Sequence, residues 1–182
     1  MEKSCGRNRT ETSIEEVYRY QIRQRRRKRG NVGRIPDGKG NVFVETIACN
    51  PIKAGNQWII DFLSRATDIG TVVVDGANGQ RLLADAMKKA KLKAPTLPTV
   101  KDIIKANASF EQGIYNDGIC HRGQPSLVQV VTNCDKRPIG SNGGFGYRSI
   151  MPDAEIALMD SVILAHWAVN ELKERKKQSV SY

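Results

Sequence analysis

The stretch Thr71-Val72-Val73-Val74-Asp75-Gly76 decides the fold class of this chain. Three consecutive β-branched valines favour an extended backbone, and an apolar run without polar alternation is typical of a strand covered on both faces, as in α/β proteins. Asp75 stands at the end of this strand, and Gly76 terminates it. Because ligands and metals collect at the carboxyl ends of strands in open α/β sheets, Asp75 is a candidate site residue. The alternative is an aspartate that caps the following helix.

Apolar residues recur at helical spacing on both sides of this strand. This spacing predicts helices over 55–66, 80–91, 100–115, 124–134 and 153–175. Shorter apolar stretches predict strands over 42–49 and near 94–99. Asp153 is the predicted N-cap of the last helix. The alternation of strands and helices predicts an α/β layer fold.

Two further segments carry strong local signals. The capping-box spacing of Ser13 and Glu16 predicts a helix that runs into the basic stretch 23–29. The stretch 136–147 contains several glycines around one phenylalanine, and this composition predicts a mobile loop.

Length and composition bound the class of protein. The 182 residues are enough for one domain with a sizeable core. No apolar stretch approaches the length of about 20 residues that a membrane helix needs. The first residues are polar and do not resemble a signal peptide, so we expect the protein in the cytoplasm. The four cysteines have no zinc-finger spacing and are predicted to be reduced thiols.

The positive charge of the chain is unevenly distributed. The net charge is +10, and residues 1–30 carry ten Lys or Arg against four Glu, a surplus of six. Lysine and arginine gain affinity for nucleic acids by releasing counterions from the phosphates. We therefore expect a nucleic-acid partner, contacted in this segment by Arg25, Arg26 and Arg27. The alternative is a solvated basic arm.

Further carboxylates stand near the start of the last predicted helix. At about 100° per residue, Asp160 lies about 60° to one side of an apolar stripe centred on Ile163, and Glu155 about 80° to the other. Together with Asp75 they can share divalent cations, because Mg²⁺ and Mn²⁺ prefer hard oxygen ligands. Two such cations about 4 Å apart support phosphodiester hydrolysis. The alternative is that the helix acids complement the helix dipole. Asp102 is predicted to cap its own helix.

Eight short segments carry a family resemblance by their order. They are Asn56-Gln57-Trp58-Ile59, Val72-Val73-Val74-Asp75-Gly76, Thr99-Val100-Lys101-Asp102, Cys120-His121-Arg122-Gly123-Gln124-Pro125, Lys136-Arg137-Pro138-Ile139-Gly140, Gly143-Gly144-Phe145-Gly146, Glu155-Ile156-Ala157-Leu158-Met159-Asp160 and Leu164-Ala165-His166-Trp167. From about Pro36 onward the chain resembles the C-terminal nuclease domain of phage terminase large subunits, the DNA-packaging motors of tailed phages. The resemblance implies a ribonuclease H-like fold, a mixed sheet flanked by helices.

The resemblance also implies a chemistry and a set of partners. The family cuts concatemeric double-stranded DNA with Mg²⁺ or Mn²⁺ held by acidic residues, which match Asp75 and Glu155 here. Glu155 departs from the aspartate that the family usually carries, and Asp160 is a further candidate ligand. The implied partners are a terminase ATPase domain or small subunit and the phage portal, in the cytoplasm of a bacterial host.

Basic residues near the predicted glycine-rich loop are the expected DNA contacts in this domain. Lys136, Arg137 and Arg148 carry charges that suit phosphates, and the glycines allow close approach of the backbone to a strand. The alternative is a flexible, solvated loop.

The chain departs from the family pattern at its N-terminal end. The family's first strand carries an essential acid, whereas 18–29 is basic here and lacks a strand pattern. No GxxxxGK[ST] phosphate-binding loop is present. We therefore expect a basic helix or arm over 1–30, a nuclease domain without its first strand over 31–175, and a tail over 176–182.

Two other hypotheses remain at the level of sequence. The first is a catalytically incomplete DNA-binding or packaging-interaction module from a truncated prophage terminase gene. The second is a nucleotide-binding domain that uses Asp75 and the turn 76–79, although this turn lacks the GxGxxG spacing.

Overall fold

The computed structural model describes residues 18–21, 41–48, 50, 54–66, 69–75, 79–141, 143–152, 154 and 156–177. In chain order the elements are β1 (Tyr18–Gln21), β2 (Val42–Phe43), α1 (Gln57–Arg65), β3 (Val72–Asp75), α2 (Gln80–Lys89), α3 (Val100–Tyr115), β4 (Ile119–Cys120), α4 (Pro125–Thr132), β5 (Cys134–Ile139), β6 (Gly144–Ser149) and α5 (Ala157–Lys177). The described part of the chain is therefore α/β, with five helices and small sheets of few strands.

The central element is β3, as the run of valines predicts. It pairs antiparallel with β1, with Tyr18 opposite Asp75. On its other edge it forms a parallel bridge to Thr96, whose N–H donates to the carbonyl oxygen of Val72 at 2.7 Å. Helix α5 contacts both β1 and β3, so it lies across this strand pair.

Successive valines of β3 point to opposite faces and enter two different cores. Val72 and Val74 join a cluster with α1 and α2, formed by Ile59, Ile60, Leu63, Leu83 and Met87. Val73 joins a second cluster dominated by α3 and α5, which includes Ala106, Phe110, Met159, Val162, Ile163 and Trp167. The prediction of a strand covered on both faces is confirmed. No helix within the described ranges is long and apolar enough to cross a membrane.

The predicted helices are confirmed, with shifts of a few residues at their ends. Helix α3 begins where the sequence indicates, because Thr99 accepts a hydrogen bond from the N–H of Asp102 and the Asp102 carboxylate accepts from the N–H of Thr99. Helix α5 begins at Ala157, four residues later than predicted, and Asp153 lies outside the described residues.

Two predictions of local structure are wrong. Tyr18–Gln21 forms strand β1 rather than part of a helix, because pairing with β3 satisfies its backbone groups. The stretch 136–147, predicted to be a mobile loop, forms most of an antiparallel hairpin of β5 and β6. Its connection contains Gly140 and Gly143 at φ values of +70° and +73°, a conformation that glycine adopts without strain.

The predicted strand 42–49 is shorter than expected. Only Val42–Phe43 is extended in a sheet, paired in parallel with β4, and Cys49 lies outside the described residues. The predicted strand near 94–99 is reduced to the bridge at Thr96.

Candidate carboxylate site

Two predicted acids, Asp75 and Asp160, come together where β3 ends and α5 begins. Asp75 is the last residue of β3, and Asp160 lies in the first turn of α5. Because Val73 and Met159 belong to the same core, the start of α5 is held against the face of β3. The two carboxylates are close enough that the negative charge of Asp75 raises the pKa of Asp160.

The pKa of Asp160 is raised to about 7 from its usual value of 3.8. Burial of the carboxyl is the largest cause, and the charge of Asp75 is the second. The positive charge of Arg137 acts in the opposite direction. The carboxyl of Asp160 is thus largely buried and lies near a second carboxylate, and both conditions disfavour its ionised form. A bound cation would strongly favour that ionised form.

Strand β5 supplies two further groups that interact electrostatically with Asp160, namely Arg137 and Cys134. Arg137 donates its Nε–H to the carbonyl oxygen of Tyr147 at 3.0 Å, which holds its side chain along the hairpin. The pKa of Cys134 is raised to about 11 by burial and then by the charge of Asp160. Its thiol donates to the carbonyl oxygen of Val130 at 3.1 Å. Cys134 is therefore a protonated thiol at neutral pH rather than a nucleophile.

The other predicted DNA contacts of the hairpin are engaged with acids of the chain itself. Lys136 forms an ion pair with Glu111, and its Nζ lies 4.5 Å from the centroid of the Phe145 ring. Arg148 forms an ion pair with Asp135 at 3.2 Å. The structure thus places Arg137 close enough to Asp160 to lower the pKa of that carboxyl, whereas it holds Lys136 and Arg148 in surface ion pairs.

Several predicted site residues lie outside the described residues. They are Glu155 and the three arginines Arg25, Arg26 and Arg27. Their roles stay predictions. Asp102 is described, and it serves as a cap: hydrogen bonds from the side chain and the backbone of Thr99 lower its pKa.

The described carboxylates fit a divalent cation in chemistry, although they form a small donor set. No group of three or more His, Cys, Asp or Glu close enough to hold a metal ion occurs among the described residues. Asp75 and Asp160 nevertheless provide two hard oxygen donors whose mutual repulsion a cation would offset. Mg²⁺ keeps several water ligands and is commonly bound through only one or two carboxylates.

Sequence reasoning names Arg137 as a DNA contact but misses Cys134 and the proximity of β5 to Asp160. Cys134 and Arg137 are three positions apart in β5, so the alternation of a strand does not by itself place them on one face. No feature of the sequence shows that this strand approaches α5, because the approach depends on tertiary packing.

Comparisons of the chain with protein-family models, with curated protein sequences and with solved structures find no match.

Proposed function

We propose that this chain is a metal-dependent DNA endonuclease domain of the phage terminase type, with a ribonuclease H-like fold, which hydrolyses phosphodiester bonds of concatemeric DNA. One observation carries the proposal. Asp75 and Asp160 interact electrostatically at the carboxyl end of a buried strand, where burial and mutual repulsion raise the pKa of Asp160. Such an arrangement of acids is typical of functional sites rather than of surface charge.

Each described group has a distinct part in the proposed reaction. The carboxylates of Asp75 and Asp160 would hold Mg²⁺ or Mn²⁺, with Glu155 as a third acid by resemblance. Such a cation supplies Lewis acidity toward a phosphoryl oxygen and lowers the pKa of bound water. Arg137 provides a positive charge next to Asp160, which suits the negative charge of a phosphate group in the site.

The partners in this proposal follow from the resemblance. Double-stranded DNA is the substrate, and a terminase ATPase domain or small subunit and the phage portal are the protein partners, in a bacterial cytoplasm. The net charge of +10 supports a polyanionic partner.

A second candidate function is supported by strand β1. This strand lies beside β3, next to Asp75, but its residues Tyr18, Arg19, Tyr20 and Gln21 include no carboxylate. The acid of the family's first strand therefore has no counterpart within β1. This observation favours a catalytically incomplete DNA-binding or packaging-interaction module from a truncated prophage terminase gene.

A plasmid-nicking assay separates the two candidates. We expect the wild-type chain to nick supercoiled DNA with Mn²⁺ or Mg²⁺ and not with EDTA, and we expect Asp75→Asn and Asp160→Asn to lose the activity. Asp85→Asn is the matched control, because Asp85 is an exposed acid on α2. Full activity in Asp75→Asn would contradict the site assignment. DNA binding without any nicking would support the binding module.

Metal binding has a readout that does not depend on cleavage. Ligand binding to the folded state raises the melting temperature by mass action. Mn²⁺ is therefore expected to raise the melting temperature of the wild type and of Asp85→Asn, but not of Asp75→Asn. An equal increase in all three proteins would place the bound cation elsewhere.

A further inference from the structure

Four lysines crowd the end of α2 and the turn that follows it. Lys88, Lys89, Lys91 and Lys93 occupy four of six consecutive positions, and all four are exposed. Within the described part of the chain, no carboxylate lies within ion-pair distance of any of them. Lys93 donates its Nζ to the carbonyl oxygen of Gly70 at 2.8 Å, and this neutral partner leaves the lysine charge uncompensated.

This surface differs from the hairpin cations that the sequence indicates as DNA contacts. Lys136 and Arg148 each face a carboxylate, so much of their charge is neutralised within the chain. Part of the charge at the end of α2 complements the helix dipole, for which one or two cations in the last turn suffice. Lys91 and Lys93 stand beyond the helix end at Lys89. The four lysines therefore attract a polyanion more strongly than the ion-paired cations of the hairpin do.

The lysines lie at the opposite end of β3 from Asp75. Helix α2 begins at Gln80, shortly after β3, and its ten residues span about 15 Å at about 1.5 Å per residue. The contact of Lys93 with Gly70 places the end of this path just before the start of β3. A distance of about 15 Å corresponds to four or five base pairs at about 3.4 Å each, so one DNA duplex is long enough to span both places.

We propose that Lys88, Lys89, Lys91 and Lys93 form a docking surface for the phosphate backbone of double-stranded DNA, separate from the carboxylate site. The choice of duplex DNA as the polyanion rests on the proposed function, whereas the uncompensated charge does not. Lysine acts as a point charge toward phosphates and carries no sequence readout there. Residues 88–93 contain no aromatic side chain on which unpaired bases could stack, so the surface suits a duplex better than a single strand.

The salt dependence of DNA binding tests this surface without cleavage. Binding of the full chain to a fluorescent 30-base-pair duplex is measured by anisotropy in EDTA over a series of salt concentrations. For Lys89→Gln/Lys91→Gln we expect the slope of log K against log salt to fall by about two, since each lost phosphate contact removes about 0.9. The matched control Lys105→Gln/Arg122→Gln removes two cations that are ion-paired to Glu171 and Glu45, and its slope is expected to stay near the wild-type value.

Three outcomes would overturn the docking surface. The first is an unchanged slope in Lys89→Gln/Lys91→Gln, and the second is an equal fall of the slope in both double variants. The third is a Lys89→Gln/Lys91→Gln protein that binds the duplex like the wild type but no longer binds phosphatidylserine vesicles or single-stranded RNA. Melting curves of both variants verify that they fold. A lysine-dependent slope in a chain that never nicks plasmid would keep the docking surface and reject the nuclease. Nicking by the wild type, together with an unchanged slope in Lys89→Gln/Lys91→Gln, would keep the nuclease and reject the docking surface.

Discussion

At the scale of single residues, Asp160 makes the stability of the protein depend on pH in an unusual direction. Its pKa is about 7 in the folded chain and 3.8 as an ordinary aspartate. Between these values the folded chain retains a proton that the unfolded chain releases. In the absence of metal, the free energy of unfolding is therefore expected to fall as the pH rises from about 4 to 7, by up to about 1.4 kcal/mol per pH unit.

Urea unfolding in EDTA between pH 4.5 and 8 measures this effect. Asp160→Asn is expected to remove the contribution of this group and to be more stable than the wild type at pH 8, because a neutral amide replaces a buried charge. Asp85→Asn, at an exposed position, is expected to retain the wild-type slope. A wild-type stability that rises through this window in parallel with that of Asp160→Asn would contradict the assignment.

Part of the candidate site could be predicted at this scale and part could not. Asp75 and Asp160 could be predicted as site residues, because a strand end and a helix start bring acids to one edge of an α/β layer. The raised pKa of Asp160 could not be predicted, because it depends on burial of the carboxyl and on its distance from Asp75. Neither quantity has a signature in sequence spacing.

At the scale of elements, the β5–β6 hairpin shows why composition can mislead. Its glycines are typical of a loop, yet Gly144 and Gly146 are strand residues that allow close packing. A Cβ atom at Gly144 would lie 2.6 Å from Cδ1 of Ile104 and 2.9 Å from the carbonyl oxygen of Ile139. These glycines are needed because neighbouring atoms leave no room for a side chain, and not because the backbone adopts an unusual conformation. A single sequence does not distinguish these two reasons for a glycine.

Gly144→Ala tests this packing. Because the new methyl group would meet backbone as well as side chain, we expect the free energy of unfolding to fall by about 1 to 3 kcal/mol in chemical denaturation. Gly146→Ala is the control, because the only described contact below 3 Å there is with the flexible end of the Ile139 side chain. It is expected to cost less, and adding Ile139→Val should restore its stability. A Gly144→Ala protein as stable as the wild type would show that the hairpin does not pack tightly on α3.

The N-terminal strand was the other element that local sequence signals misassigned. The capping-box pattern at Ser13 favours a helix, and the basic stretch that follows it lacks a strand pattern. Pairing with β3 decides in favour of the strand, because it supplies partners for the backbone groups on one edge of β3. Local sequence patterns thus predict the helices around β3 well. Pairings between distant strands depend on contacts between residues far apart in the sequence, which no short stretch of sequence contains.

At the scale of the whole molecule, β3 contributes side chains to both hydrophobic cores. Val74 is fully buried on the side of α1 and α2, and Val73 is buried on the side of α3 and α5. Neither core can lose β3 without exposing apolar surface in the other. The described part of the chain is therefore expected to unfold as one cooperative unit.

The two tryptophans of the chain report on the two cores separately. Trp58 packs against the cluster of α1 and α2, and Trp167 is buried in the cluster of α3 and α5. In Trp58→Phe, the fluorescence of Trp167 follows the second core alone. Leu83→Ala truncates a fully buried side chain of the first core and is expected to cost about 2 to 5 kcal/mol. If β3 couples the cores, Leu83→Ala lowers the urea midpoint of Trp167 fluorescence by the same amount as the midpoint of far-ultraviolet circular dichroism.

The neighbouring leucine provides the control for this experiment. Leu82 is 65% exposed, so Leu82→Ala removes little buried surface and is expected to change the free energy of unfolding by no more than about 0.5 kcal/mol. If, in the Trp58→Phe protein, Leu83→Ala lowered the midpoint of circular dichroism and left that of Trp167 fluorescence in place, the two cores would be independent units. In that case the electrostatic interaction of Asp75 with Asp160 would link two separately folding parts, and the candidate site would form only when both are folded.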